Sequence, residues 1–85
     1  MRHDIRTPQQ LADQLRAARK RLGLTQAELA MAAGVGLRFM VDLESGKPTV
    51  RLETVMRVID ALGGAMQLAG LPADPARHKE PGNGT

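Results

Sequence analysis

The side chains best suited to chemistry in this chain are cations, amides and hydroxyls gathered in its middle. Between residues 14 and 57 stand eight cations, Arg16, Arg19, Lys20, Arg21, Arg38, Lys47, Arg51 and Arg57, against four carboxylates, Glu28, Asp42, Glu44 and Glu53. Thr25, Gln26 and Thr49 add neutral donors to the same stretch. A guanidinium can span the O6 and N7 acceptors of guanine, and ammonium, amide and hydroxyl groups bond phosphate oxygens. The net charge of +3 and the isoelectric point near 10.2 favour a polyanionic partner in the same way. The other chemistries lack their residues. There is no Cys, and the two His, His3 and His78, lie near opposite ends of 85 residues with no acidic cluster between them. No Ser, His and Asp constellation, Gly-rich phosphate loop or carboxylate pair with a base is present, so no enzyme activity, metal or cofactor is expected. No apolar run approaches the roughly 18 residues of a membrane span, and no signal-peptide core follows the N-terminus. The expectation is one soluble, cytoplasmic domain with no membrane partner.

The elements that must position these groups are short helices. Thr25 is a good N-cap, and Glu28, three residues on, can return the bond to make a capping box. The apolar run Ala27, Leu29, Ala30, Ala33 stops at Gly34, and Val35 must be buried if two helices are to pack across so short a link. The spacing predicts a helix over Gln26 to Ala33 and a second from about Leu37 to Ser45, with Met40 and Leu43 inward and Phe39 in the core rather than a base wedge. Two helices on so short a Gly-containing link make a helix-turn-helix.

Around it, residues 1 to 6 read as a flexible arm. Thr7-Pro8-Gln9-Gln10 marks a helix start, with Thr7 as N-cap, Pro8 at the first position and Gln10 closing a capping box. This helix is predicted to run from Pro8 to about Leu22 on a stripe of Leu11, Leu15, Ala18 and Leu22. A fourth helix is predicted from about Leu52 to Leu62, with Leu52, Val55, Met56, Ile59 and Leu62 inward and Val58 facing a second subunit. Ala65-Met66-Gln67-Leu68-Ala69 has weak strand character. One strand is not stable alone, so Met66, Gln67 and Leu68 are expected to pair with their own copy across a twofold axis; an extended tail packed on the body is the alternative. Residues 70–85 are rich in Pro and Gly and read as a disordered tail.

In a helix-turn-helix the second helix enters the major groove by its N-terminal residues. That makes Leu37, Arg38, Val41 and Asp42 the candidate base contacts, Arg38 foremost. Arg38 bonding a phosphate or an acid of its own subunit is the alternative. Asp42 either accepts from a cytosine amine or, preferably, pairs with Arg38 four residues earlier. Thr25, Gln26, Gly36, Arg19, Lys47, Thr49 and Arg51 are the candidate phosphate contacts. Glu44 is expected to tie the end of its helix to a basic neighbour such as Arg19.

The stretch resembles the bacterial Cro/repressor-type (XRE) helix-turn-helix family through Leu24-Thr25-Gln26, Leu29-Ala30, Ala33-Gly34-Val35 and Leu43-Glu44-Ser45-Gly46-Lys47. Within it the chain looks most like the HipB-type antitoxins. The matching features are Thr7-Pro8-Gln9-Gln10-Leu11, the segment Leu43 to Val50, Leu52-Glu53-Thr54-Val55, the Gly63 break and the strand near Met66-Gln67-Leu68. Together they cover residues 7 to 69. The resemblance implies an all-α, lambda-repressor-like bundle of four to five short helices with a C-terminal β-strand paired across a homodimer. It implies repression of its own operon from a palindromic operator in double-stranded DNA, with nucleoid association when bound, and restraint of a HipA-type Ser/Thr kinase toxin. It also implies that Gln26 bonds a phosphate and braces the recognition helix. Gly36 departs from the Ser or Thr usual in the family before that helix, so a hydroxyl contact is lost. A stand-alone XRE regulator without a toxin partner would share nearly all of these residues.

Overall fold

The computed structural model describes residues 2–72, which form four helices: α1 (Pro8–Arg21), α2 (Gln26–Ala33), α3 (Leu37–Glu44) and α4 (Leu52–Ala61). α2 packs against α3 and α4, and α1 packs against α3. Leu15, Leu29, Ala30, Met40, Leu43, Val55 and Val58 form the core, with Leu11, Leu24, Val35, Phe39, Ile59 and Leu62 half-buried around it. The fold is all-α, as expected from the sequence.

Local chemistry sets the helix ends. Thr25 Oγ1 accepts from Glu28 N at 3.0 Å and Glu28 Oε1 accepts from Thr25 N at 2.8 Å, so the expected capping box is present. Thr7 Oγ1 accepts from Gln10 N at 3.1 Å, but Gln10 reaches back to the N–H of Arg6 rather than of Thr7. α2 ends at Gly34, whose φ of +70° and ψ of +35° place it in the left-handed region that a side chain disfavours.

Four expected facings are corrected. Leu22 is 56 % exposed, because α1 stops at Arg21 and the chain turns away before the stripe is completed. On α1 Leu15 is buried and Leu11 and Ala18 are half-buried, as expected, and Ala12 and Arg19 are buried with them. Val58, expected at a second subunit, is fully buried in the core of its own chain, while Leu52 and Met56 lie exposed. The inward face of α4 is centred on Val55 and Val58. Met56 follows Val55 by one residue, about 100° round the helix, and so turns outward. Among the described residues there is no strand. Residues 65–69 form no backbone hydrogen bonds among the described residues, and a single chain offers no neighbour for a ladder. The arm from residue 2 to 6 is exposed and irregular. Of the expected tail, residues 73–85 lie outside the described residues, as does His78.

Candidate nucleic-acid interface

α3 carries two faces set by its spacing. Met40, Leu43 and Glu44 are buried, so Leu37, Arg38 and Val41, at i, i+1 and i+4, share the outer face. Leu37 is 51 % and Val41 43 % exposed, and the Arg38 side chain is 88 % exposed. A fork-shaped cation flanked by two apolar groups on an exposed helix suits base edges, the Arg for guanine and the apolar groups for the thymine methyl. Gly36 is the N-cap, with extended backbone (φ −75°, ψ 151°) and no side-chain bond to the first turn.

Asp42 follows Arg38 by four residues, and its Oδ1 lies 3.4 Å from Arg38 Nε. Its Oδ2 lies 3.6 Å from Lys47 Nζ. The carboxylate thus sits between two cations, as the preferred pairing with Arg38 anticipated.

Beside α3 runs an open groove of about 540 Å³, walled by Arg16, Thr25 and Gln26 on one side and by Val41 and Ser45 on the other. The N–H groups of Gln26 and Ala27 have no protein acceptor among the described residues, and they open at the same end of α2. A helix N-terminus so exposed favours an anion. Gln26 is half-buried and donates from Nε2 to Glu44 Oε1 at 3.1 Å, which braces α2 against α3.

Arg19 was expected both at a phosphate and as the basic neighbour of Glu44. The pairing with Glu44 is present, and the phosphate role is corrected, because Arg19 is 8 % exposed and held inside. Nε donates to Glu44 Oε2 at 2.7 Å, Nη2 to Glu44 Oε1 at 2.9 Å and Nη1 to the Leu24 carbonyl at 2.8 Å. Three donors engaged within the protein, and a carboxylate facing it, leave Arg19 lining the groove beside Glu44 with its guanidinium committed to the protein. Burial would push the Glu44 carboxyl up. The hydrogen bonds from Arg19 and Gln26, together with the charges of Arg19 and Arg16, outweigh burial and hold it below the usual carboxylate range. The bond to Glu44 in turn holds the Arg19 guanidinium up, against the opposing effect of burial. Arg16, one turn earlier on α1, is the exposed cation in the groove. The two arginines stand three residues apart, and it is Arg19, the neighbour expected for Glu44, that turns inward to the buried carboxylate.

Lys47, Thr49 and Arg51 are exposed on the link from α3 to α4. Arg51 lies 3.8 Å from Glu53, an exposed pair of little strength. The structure therefore brings Leu37, Arg38, Val41, Asp42, Thr25 and Gln26 together around one helix and one groove, where Arg16 is the exposed cation and Arg19, also lining the groove, is held by Glu44.

A helix-turn-helix domain model matches residues 10–70. The chain belongs to the helix-turn-helix domain family. Relatives agree with this helix-turn-helix assignment. The chain is 51 % identical over 59 residues, 69 % of its length and 78 % of the relative's, to y4mF, an uncharacterized HTH-type transcriptional regulator of Sinorhizobium fredii (strain NBRC 101917 / NGR234). Among solved structures it is similar to HipB in a HipB–O4 20mer complex, with a TM-score of 0.76 and 27 % identity over 84 % of this chain and 100 % of that one. A HipA–HipB–O2–O3 complex matches with the same TM-score of 0.76, at 27 % identity and the same coverage of 84 % and 100 %. The helix-turn-helix of this chain is thus HipB-like in fold. No helix among the described residues is long and apolar enough to cross a membrane.

Proposed function

We propose that this chain binds double-stranded DNA as a homodimer and represses transcription of its own operon, acting as the antitoxin that restrains a HipA-type Ser/Thr kinase. The observation that carries the DNA part is the outward face of α3, with Leu37, Arg38 and Val41 exposed beside a groove that presents Arg16, Thr25 and Gln26. In this reading α3 enters the major groove. Leu37, Arg38, Val41 and Asp42 meet base edges, and Thr25, Gln26, Gly36, Arg16, Lys47, Thr49 and Arg51 meet the backbone. Met66 and Leu68, 43 % and 81 % exposed, are open to pair with a second copy, with Gln67 between them on the other face. A palindromic operator would then carry half-sites about 34–36 Å apart.

The likeness to HipB complexes, one of them with HipA, supports the toxin partnership. A stand-alone regulator is the second reading, and the relative y4mF, described as a transcriptional regulator, favours it. One experiment separates them. The tagged full chain is captured from its own cells, with nuclease added, and its partners are read by mass spectrometry. A kinase-sized protein in near-equal amount is expected. Capture of the chain alone overturns the antitoxin half. Failure of the chain to shift duplex DNA from upstream of its own gene overturns the repressor half.

A further inference from the structure

We infer that Asp42 is a specificity determinant of the recognition helix, acting as a carboxylate that holds Arg38 and Lys47 back from DNA of arbitrary sequence. The inference rests on the proposed reading that α3 meets DNA, and deepens it. Asp42 is the only acid on the outward half of α3, since the other acid of that helix, Glu44, is buried against Arg19.

The carboxylate is built into its place. Its side chain is 24 % exposed, whereas those of Arg38 and Lys47 are 88 % and 49 % exposed, so it sits beneath the two cations rather than beyond them. The Asp42 carbonyl accepts from Ser45 Oγ at 2.8 Å and from Lys47 N at 3.1 Å, which ties the Lys47 main chain to the end of α3 and its ammonium to the carboxylate. Two cations and one anion leave a net charge of +1 on this patch instead of +2.

Non-specific binding comes almost wholly from cations that neutralise phosphates and release counterions. A cation already facing a carboxylate releases less when it moves to a phosphate, and the carboxylate itself is repelled by the backbone. Affinity for arbitrary sequence therefore falls. At the correct site Arg38 exchanges Asp42 for a bidentate guanine contact, which arbitrary DNA does not supply at the right register. The discrimination comes from a weaker wrong complex as well as a better right one.

The test needs no knowledge of the operator. The full chain, its Asp42→Asn variant and its Asp60→Asn variant are titrated onto a fluorescent duplex of arbitrary sequence between 50 and 200 mM salt. Asp60 is exposed near the far end of α4 and outside the recognition helix, so its variant carries the same change in net charge. Both variants are checked for unchanged helix content and melting. Asp42→Asn is expected to bind tighter than the wild type and Asp60→Asn at low salt. Its affinity loss across that salt range is expected to be about 3–4-fold larger for each phosphate gained, hence roughly 12-fold for a dimer that gains one per subunit. Combining it with Arg38→Gln should remove part of the gain. An Asp42→Asn curve that overlays the wild type or Asp60→Asn, or that is weaker, overturns the inference. If the wild type itself does not bind duplex DNA at 50 mM salt, the proposed function fails first and the inference with it.

Discussion

The Arg19 guanidinium grips the Glu44 carboxylate at two points, with Nε 2.7 Å from Oε2 and Nη2 2.9 Å from Oε1, and so ties the last turn of α1 to the last residue of α3. Only 10 % of the Arg19 side chain and 3 % of the Glu44 side chain are exposed. Removing one partner of such a pair leaves a buried charge unmatched, at a cost of about 3–5 kcal/mol. Glu44→Gln is therefore expected to destabilise the domain by that amount, read as a lower urea midpoint. The double replacement Arg19→Met with Glu44→Leu removes both charges and should cost less than either single change. If each single change costs under about 1 kcal/mol, the pair behaves as a surface ion pair, and the account is wrong.

The same pair makes stability fall in acid. The folded Glu44 carboxyl is held below its ordinary value, despite the opposing effect of burial, by bonds from Arg19 and Gln26. A group with a depressed folded pKa binds its proton more weakly folded than unfolded. Its stabilisation is complete above the unfolded value, about 4.3, and is lost as pH falls through the lower folded value. Urea midpoints measured from pH 7 down to pH 3 should drop for the wild type by more than for the Arg19→Met, Glu44→Leu double variant. Parallel curves would assign the acid loss to other carboxylates.

How much of this was legible in the sequence depends on the range of the interaction that decides each residue. The Thr25–Glu28 box and the Gly34 stop are settled within one helical turn, and reading residues three and four apart finds them. The outward placing of Leu37, Arg38 and Val41 follows from one periodicity on α3. Val58 and Leu22 were misplaced, and Arg19 was left between a phosphate and Glu44, for the opposite reason. Whether Arg16 or Arg19 turns inward is decided by Glu44, 25 residues from Arg19. The facing of α4 is decided by how α2 packs across it, and two apolar stripes about 100° apart look equally good on paper. Met66 and Leu68 form no ladder among the described residues, so no interaction within one chain sets their facing.

Gly46 is constrained twice, unlike Gly34. Both lie in the left-handed region, at φ +84° and +70°. A side chain at such a φ costs about 1–2 kcal/mol. At Gly34 a Cβ would meet nothing within 4 Å, whereas at Gly46 it would come 3.0 Å from Gln9 Cδ and 3.3 Å from Gln9 Cα, pressing on the first turn of α1. Gly34→Ala should cost about 1–2 kcal/mol, and Gly46→Ala somewhat more. Gln9→Ala should recover the part due to the side-chain end and leave the rest. Equal costs for the two glycine variants, measured by urea unfolding, would show that Gln9 yields freely.

Gly36 offers a gain. Its backbone is already extended, no side chain caps α3, and an added Cβ would meet nothing within 4 Å. Gly36→Ser supplies a hydroxyl that can accept from the first turn of α3, and Ser exceeds Gly at an N-cap by a few tenths of a kcal/mol. A melting temperature raised by about 1–3 °C is expected, using the scaling for a domain of this size. A lowered one would mean that the hydroxyl finds no donor there.

Arg38 is held by one exposed ion pair to Asp42 and buries none of its length in the core, so the fold does not depend on it. Arg38→Ala should change stability by less than about 0.5 kcal/mol, as is usual for a surface substitution. If Arg38 grips a guanine, the variant loses about 1–3 kcal/mol of preference for its operator over a scrambled duplex, and the preference is relaxed at one base pair per half-site. If Arg38 only bonds phosphate, affinity falls equally for both duplexes and the salt slope drops by about 0.9 per subunit. Titrating both duplexes at two salt concentrations separates the outcomes, because a base contact changes the ratio of affinities and a phosphate contact does not. Discrimination that is unchanged in the variant would leave base reading to Leu37 and Val41.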